Sequence, residues 1–248
     1  RGLGDVYKRQ DIRLLTVVWP DRDHAPHAGQ FFTLRSWGAD EAPFLSRPIS
    51  VHRWNPDSST IEFLYQVVGE GTEKLAQLKQ QDTFQLTGPM GNGFDVPDIL
   101  SKYKKIAVVG GGIGTAPLLL LCKELCRAGV RPDLFVGFRD TTYGMDRFVP
   151  WCRDIYAATD SGKEGHHGLV TDLLDVSKYD IVLTCGPMVM MRGVAKLCAD
   201  AGVPCLASLE KKMACGLGAC LGCTCHTKIG PVTVCKDGPV FNAQEVFD

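Results

Sequence analysis

The stretch MACGLGACLGCTC, residues 213–225, holds four cysteines in thirteen positions, and a fifth, Cys235, follows in VTVCKDGP. Cys215, Cys220 and Cys223 form C-x4-C-x2-C, with Cys235 as a distant fourth thiol. This is the plant-type spacing for a 2Fe–2S cluster held by four thiolates. The interleaved Gly216, Gly218 and Gly222 suit that task. A loop wrapping such a cluster must turn tightly and aim backbone N–H groups at sulfur, and glycine has no Cβ to obstruct either. Zinc is the rival, since four thiolates also build a tetrahedral structural site. Zinc sites usually pair two C-x2-C knuckles, however, and the second is absent here. A set of unrelated buried thiols is the plainest alternative; the regular spacing among glycines speaks against it. Cys225 has no place in the four-ligand pattern.

Two glycine turns carry a different chemistry. GGGIGTAP, residues 110–117, lies where an apolar strand should meet a helix, and Gly111, Gly112, Ile113, Gly114 and Thr115 form its turn. A phosphate can approach such a backbone and meet the unpaired N–H groups of the helix start. As a G-x-G-x-x-G fingerprint the stretch fails, because Thr115 stands in the third glycine position. CGPM (Cys185, Gly186, Pro187, Met188) likewise ends an apolar strand and precedes a helix. Either turn alone is an ordinary βα connection. Together they place a nucleotide crevice at the carboxyl edge of a sheet. Arg139 and Asp140 fall where a ribose would be read, with opposed charges. Upstream, Arg47 of RPIS is suited to a diphosphate, and Gly71 and Thr72 of GEGT stand at a helix start. Taken alone, Arg47 reads equally well as a surface charge and Ser50 as an ordinary strand residue.

These residues need a scaffold, and the pattern of the chain supplies three regions. In residues 1–97, FFTLRS, RPISVHRW, TIEFLYQVV and TFQLTGP read as short strands, with one helical run at EKLAQLK. That rhythm predicts a small antiparallel barrel or sandwich. In residues 98–207, KKIAVVGG, DLFVGF, IYAATD and DIVLTC are apolar strands alternating with helical segments such as TAPLLLLCKELCRAG and MVMMRGVAKLCADAG. The alternation predicts a parallel sheet with helices on both faces, and VPCLASLE reads as its last strand. Residues 208–248 have too little apolar content for a core of their own. The fold class is therefore β plus α/β with a cysteine-rich tail.

Composition excludes other classes. With 27 Lys and Arg against 28 Asp and Glu, nothing in the charge calls for nucleic acid or an anionic membrane. No run approaches the roughly 18 apolar residues of a membrane span, and the opening RGLGDVYKRQ has no signal-peptide core. Cys122, Cys126, Cys152, Cys198 and Cys205 are scattered through apolar or helical patterns, where cysteine behaves as a small hydrophobe. Eleven cysteines so distributed fit a reducing cytoplasm with one local metal site.

RPIS, GEGT, GPMGNGF, GGGIG, CGPM and ACGLGACLGCTCH…VCKDGPVFNAQEV occur in that order over nearly the whole chain. The series resembles the electron-transfer subunits of bacterial dihydroorotate dehydrogenase type B, within the ferredoxin-reductase superfamily. The resemblance implies FAD on the barrel, NAD(H) on the α/β domain and a 2Fe–2S cluster on the tail. Carried over by position, it puts FAD contacts on Arg47, Pro48, Ile49, Ser50, Leu64, Tyr65, Gln66, Gly71 and Thr72. It puts cluster ligands on Cys215, Cys220, Cys223 and Cys235. Gln66 departs from the basic residue expected there in many relatives. The implied electron path joins NAD(H), FAD, the cluster and the flavin of an FMN-containing catalytic partner, in a heterotetramer of two subunits each, for pyrimidine biosynthesis. No acid–base side chain is expected of this chain. A related flavoprotein subunit of a sulfide dehydrogenase, transhydrogenase or hydrogenase complex is the alternative within the class. A colourless zinc-stapled binding module is the alternative outside it.

Overall fold

The computed structural model describes residues 5–6 and 11–247. The first region folds as β1 (Asp5–Val6), β2 (Ile12–Val18), β3 (Phe31–Arg35), β4 (Arg47–Ser50), β5 (Arg53–Asn55), β6 (Thr60–Gln66), α1 (Glu70–Ala76) and β7 (Gln85–Met90). Two antiparallel sheets result, ordered β1-β2-β6-β5 and β4-β3-β7. Their inner faces meet over Phe32, which packs edge-on against Phe63 at 5.6 Å and Trp19 at 5.2 Å. RPISVHRW is not one strand but two. Val51 and His52, both buried, turn a corner that passes the chain from one sheet to the other.

The second region begins with α2 (Val96–Lys102), which is N-capped by Asp95 accepting from Asp98 N at 2.9 Å. Then follow β8 (Ile106–Gly111), α3 (Leu118–Arg127), β9 (Asp133–Phe138), β10 (Ile155–Thr159), β11 (His166–His167), β12 (Ile181–Cys185), α4 (Met188–Ala201) and β13 (Cys205–Ser208). These strands pair in parallel in the order β11-β10-β9-β8-β12-β13. Strand period decides the two faces. Ile106, Val108, Leu134 and Val136 pack with α3, whereas Ala107, Val109, Phe135 and Val182 pack with α4. The connections after β9 and β11 are 3₁₀ turns, not α-helices. Their segments are broken by Gly144 and Pro150, or by Asp172 and Asp175, and lack a sustained helical period.

In the tail, β14 (Thr224–Thr227) and β15 (Gly230–Thr233) form a hairpin. β16 (Val240–Asn242) then pairs antiparallel with β13, and α5 (Ala243–Val246) follows. VPCLASLE is thus the last parallel strand, but not the last strand of the sheet. Three residues of β16 are too few to show a period in sequence. The tail's Cys223, Val234, Cys235, Ala243 and Phe247 are buried in the core on the α4 side, as its low apolar content requires. Among the described residues no helix is long and apolar enough to cross a membrane.

Candidate functional site

In the order β11-β10-β9-β8-β12-β13, β8 sends the chain to β9 on one side, and β12 lies on the other. The carboxyl ends of β8 and β12 therefore mark the point where strand order reverses, the usual place for a ligand in an open α/β sheet. GGGIG follows β8 and CGPM follows β12, so both turns emerge there. They are in contact. A Cβ on Gly114 would lie 2.4 Å from Gly186 Cα, and one on Gly111 would lie 2.8 Å from Pro187 Cδ and 2.5 Å from Met190 Sδ. Thr115, buried at the failed fingerprint position, donates to Gly112 O at 2.8 Å, and its methyl fills the space over Gly110. Gly112 is left-handed at φ +52° with open space around it. Met188 opens α4 and is partly exposed, at 43%. Asp140, beyond β9 at the same edge, faces Lys163 Nζ at 3.4 Å.

A cleft of about 360 Å³ lies between the barrel and this edge. Arg47, Pro48, Ile49, Ser50, Leu64, Tyr65, Gln66 and Thr72 line it from the barrel, with Ile113 and Cys185 opposite. Gly111, Gly112, Gly114, Thr115, Gly186, Pro187 and Met188 are not in this lining and form the adjoining pair of turns. Gly71 stands behind Arg47: a Cβ there would be 2.4 Å from Arg47 Nε, so only glycine lets the guanidinium lie over the start of α1. Arg47 also donates to Leu45 O and lies over the Trp37 ring at 5.7 Å. Burial pushes Tyr65 up to about 12, so its phenol stays a donor even well above neutral pH. Burial likewise raises the Cys185 thiol, which is hydrogen-bonded to Ser208.

Two expected contacts have local partners. The Gln66 amide donates to Asp11 Oδ2 at 2.6 Å, so a neutral group tied to a carboxylate stands where a basic residue was expected. The Thr72 hydroxyl accepts from Val68 N and Gly69 N and donates to Gly69 O at 2.7 Å, closing the entry to α1. The sequence does not mark further cleft walls, among them Phe31, Ser208, Glu210, Lys211, Met213 and Pro239. A signal existed for some of them, because SLEKKM leaves the last parallel strand at the same sheet edge as CGPM.

The cysteines form two pairs. The Cys215 sulfur accepts from Leu217 N and Cys220 N, both at 3.4 Å, and is hydrogen-bonded to the Cys220 side chain. The Cys223 sulfur accepts from Cys235 N at 3.4 Å, Cys235 is hydrogen-bonded to the Cys223 side chain, and Gly218 N donates to Cys235 Sγ at 3.1 Å. The N–H groups of Leu217 and Cys220 pull the Cys215 thiol down to about 6, whereas burial pushes Cys235 up to about 11. Among the described residues no three His, Cys, Asp or Glu side chains gather as a single-ion site. One thiol pair per iron is the donor set of a two-iron cluster, and N–H groups aimed at sulfur are its usual second support. The residues present fit the cluster. Cys225 sits on β14 opposite Val232, outside both pairs.

Comparison with known proteins points to the same class of cofactor. Residues 210–247 match the model of the iron–sulfur cluster binding domain of dihydroorotate dehydrogenase B. A dihydroorotate dehydrogenase B (NAD(+)) electron transfer subunit of Clostridium acetobutylicum is 47% identical over 219 residues, covering 88% of this chain and 85% of its own. The chain belongs to this family of electron transfer subunits. A second member, from Clostridium perfringens, is 43% identical over 243 residues, with 96% and 95% of the two chains covered. Among solved structures, a chain of an NADH-dependent reduced ferredoxin–NADP oxidoreductase superposes with a TM-score of 0.84 at 27% identity, covering 97% of this chain and 87% of that one. A ferredoxin NADP+ reductase of Neisseria gonorrhoeae shares the fold with a TM-score of 0.63 at 18% identity, covering 77% and 86%. Membership makes the chain an NAD-linked oxidoreductase subunit, and an electron transfer subunit implies a catalytic partner.

Proposed function

We propose that this chain carries electrons between NAD(H) and the flavin of an FMN-containing dihydroorotate dehydrogenase subunit, in cytoplasmic pyrimidine biosynthesis, within a heterotetramer of two subunits each. The observation that carries the reading is the shared cleft. Barrel residues of RPIS and LYQ, Ile113 and Cys185 of the two glycine turns, and Met213 and Pro239 of the tail all line it. When bound, FAD supplies the two-electron to one-electron conversion that joins a hydride donor to an iron–sulfur acceptor. Everything else falls to the protein.

In this reading residues 1–97 hold FAD, 98–207 hold NAD(H) and 208–248 hold the cluster. Arg47 offers a guanidinium to the diphosphate. Pro48, Ile49 and Leu64 exclude water from the cleft, while Ser50 and Tyr65 orient the ring system by hydrogen bonds. The glycine turns let the dinucleotide backbone approach closely, and the absence of a Cβ at Gly112 leaves its side open. Cys215, Cys220, Cys223 and Cys235 ligate iron as thiolates, which the N–H groups of Leu217, Gly218 and Cys220 favour. No side chain here needs to exchange a proton with dihydroorotate.

The test is a division of labour. The purified chain carrying FAD and cluster should oxidise NADH with an artificial acceptor and leave dihydroorotate untouched. Adding the catalytic subunit should couple dihydroorotate oxidation to NAD reduction, and only with the cluster intact. Conversion of dihydroorotate to orotate by the chain alone would refute the reading.

A further inference from the structure

The loop Gly91-Asn92-Gly93 follows β7 and has no part in the contacts described above. Asn92 nevertheless makes four hydrogen bonds to one short stretch of the tail. Its side-chain amide donates to Lys236 O at 2.9 Å and Asp237 O at 3.4 Å. Its backbone N–H donates to Gly238 O at 2.6 Å, and its carbonyl accepts from Val240 N at 3.4 Å. The first of these partners adjoins Cys235. The flanking glycines leave the loop no slack. A Cβ on Gly91, at φ +81°, would lie 2.8 Å from Pro239 Cδ, and one on Gly93 would lie 2.0 Å from Ala28 O.

The same loop reaches the other end of the ligand segment through its neighbour. Met90 Sδ stands 2.6 Å from where a Cβ of Gly216 would be, beside Cys215. Met90 and Phe31 are buried in one core with Cys223 and Cys235, and Phe31 is also a wall of the cleft. Cleft wall, loop and cysteine segment are therefore in continuous contact. The tail has a second anchor that the Asn92 side chain does not touch, the pairing of Phe241 and Asn242 on β16 with Ala207 and Leu206 on β13.

We propose that Asn92 is a positioning residue: it fixes the separation between the cleft and the cysteine segment, so that electron passage between them depends on it. The inference rests on the reading that the cleft holds FAD and the tail the cluster. Electronic coupling falls steeply with separation, so a tail that rocks away from the barrel keeps its cluster but receives electrons slowly. The four cysteines and β16 retain the cluster; Asn92 sets where it stands.

The experiment uses the full chain loaded with FAD and cluster, as wild type, Asn92→Ala and Asn92→Asp. Aspartate preserves shape but cannot donate to the Lys236 and Asp237 carbonyls. Rapid mixing with NADH would follow flavin and cluster absorbance separately, beside cluster content, the electron paramagnetic resonance spectrum and amide exchange over residues 234–240. With one or two hydrogen bonds lost, both variants should reduce the cluster about three- to tenfold more slowly and exchange those amides faster by a similar factor. Flavin reduction, cluster content and the resonance spectrum should stay at wild-type values. The proposal is overturned if cluster reduction is unchanged, if flavin reduction slows equally, if the cluster is lost, or if Asn92→Asp behaves as wild type. A wild-type chain whose cluster is not reduced by NADH at all would instead refute the functional reading.

Discussion

Replacing Gly114 by alanine tests whether the turns after β8 and β12 work as one crevice. An ideal Cβ at Gly114 falls 2.4 Å from Gly186 Cα, 2.7 Å from Gly186 N and 2.8 Å from Cys185 O. All three are backbone atoms, so no side chain can rotate away. Gly186 cannot retreat easily either: it sits at φ +154°, and its own Cβ position is 2.9 Å from Gly111 N. Restoring ordinary contact needs the two turns to part by about 1 Å. Forced overpacking of this kind costs about 1–3 kcal/mol. In a chain of this size each kcal/mol lowers Tm by about 2–4 °C, so calorimetry should show a fall of about 2–12 °C. A misplacement of about 1 Å at a substrate-positioning element can cost as much as a hundredfold in rate, and hydride transfer from NADH should slow accordingly. FAD retention should change less than hydride transfer, since the barrel side of the cleft is untouched and only Ile113 and Cys185 of its wall are displaced. Gly112→Ala is a comparison for stability alone, since its Cβ would stand on the side left open to the dinucleotide. Nothing lies within 4 Å of its Cβ position, so its cost is confined to the left-handed backbone, about 1–2 kcal/mol. If Gly114→Ala melts with the wild type and accepts hydride at the same rate, the two turns do not form the nucleotide crevice.

Cys220→Ser should abolish the cluster's visible absorption while Cys225→Ser keeps it, and loss of absorption in the second variant would overturn the ligand set. Arg47→Ala removes a charge-assisted contact and should weaken FAD by about 1.5–3 kcal/mol, read by flavin retention on dilution and gel filtration. Retention equal to wild type would leave Arg47 a surface charge. His52 is fully buried, its Nδ1 donates to Ala116 O at 2.7 Å, and burial depresses its pKa from 6.5 to about 3. Between those values the unfolded chain binds a proton that the folded chain refuses, so this residue's contribution makes stability fall as pH drops, by about 1.4 kcal/mol per pH unit. Denaturant midpoints at several pH values should show a shallower dependence for His52→Gln, and an unchanged slope would contradict this assignment.

Much of the site was legible because its chemistry is local. A cluster loop must present thiolates at short, set intervals, and Cys215, Cys220 and Cys223 carry that spacing wherever the tail packs. The strands of the sheet were legible for the same reason. Burial on both faces demands runs such as IAVV and IVLT, and a glycine must follow where the backbone turns sharply into a helix. The 3₁₀ connections and the three-residue β16 were not legible, because neither is long enough to display a period.

What the tertiary structure decided lies between residues far apart in the chain. Gln66 finds Asp11 across 55 positions, and Asn92 finds Lys236 across 144. Neither partner can be read from its own neighbourhood, since each bond exists only after two elements have packed. The contact of Gly114 with Gly186 is of the same kind: sequence shows two glycines, and only the sheet order brings their backbones together. The thiols show the division within one site. Cys215 meets Cys220 within one short loop, as their spacing allows, but the gathering of Cys223 with Cys235 depends on the hairpin β14–β15 carrying the chain back.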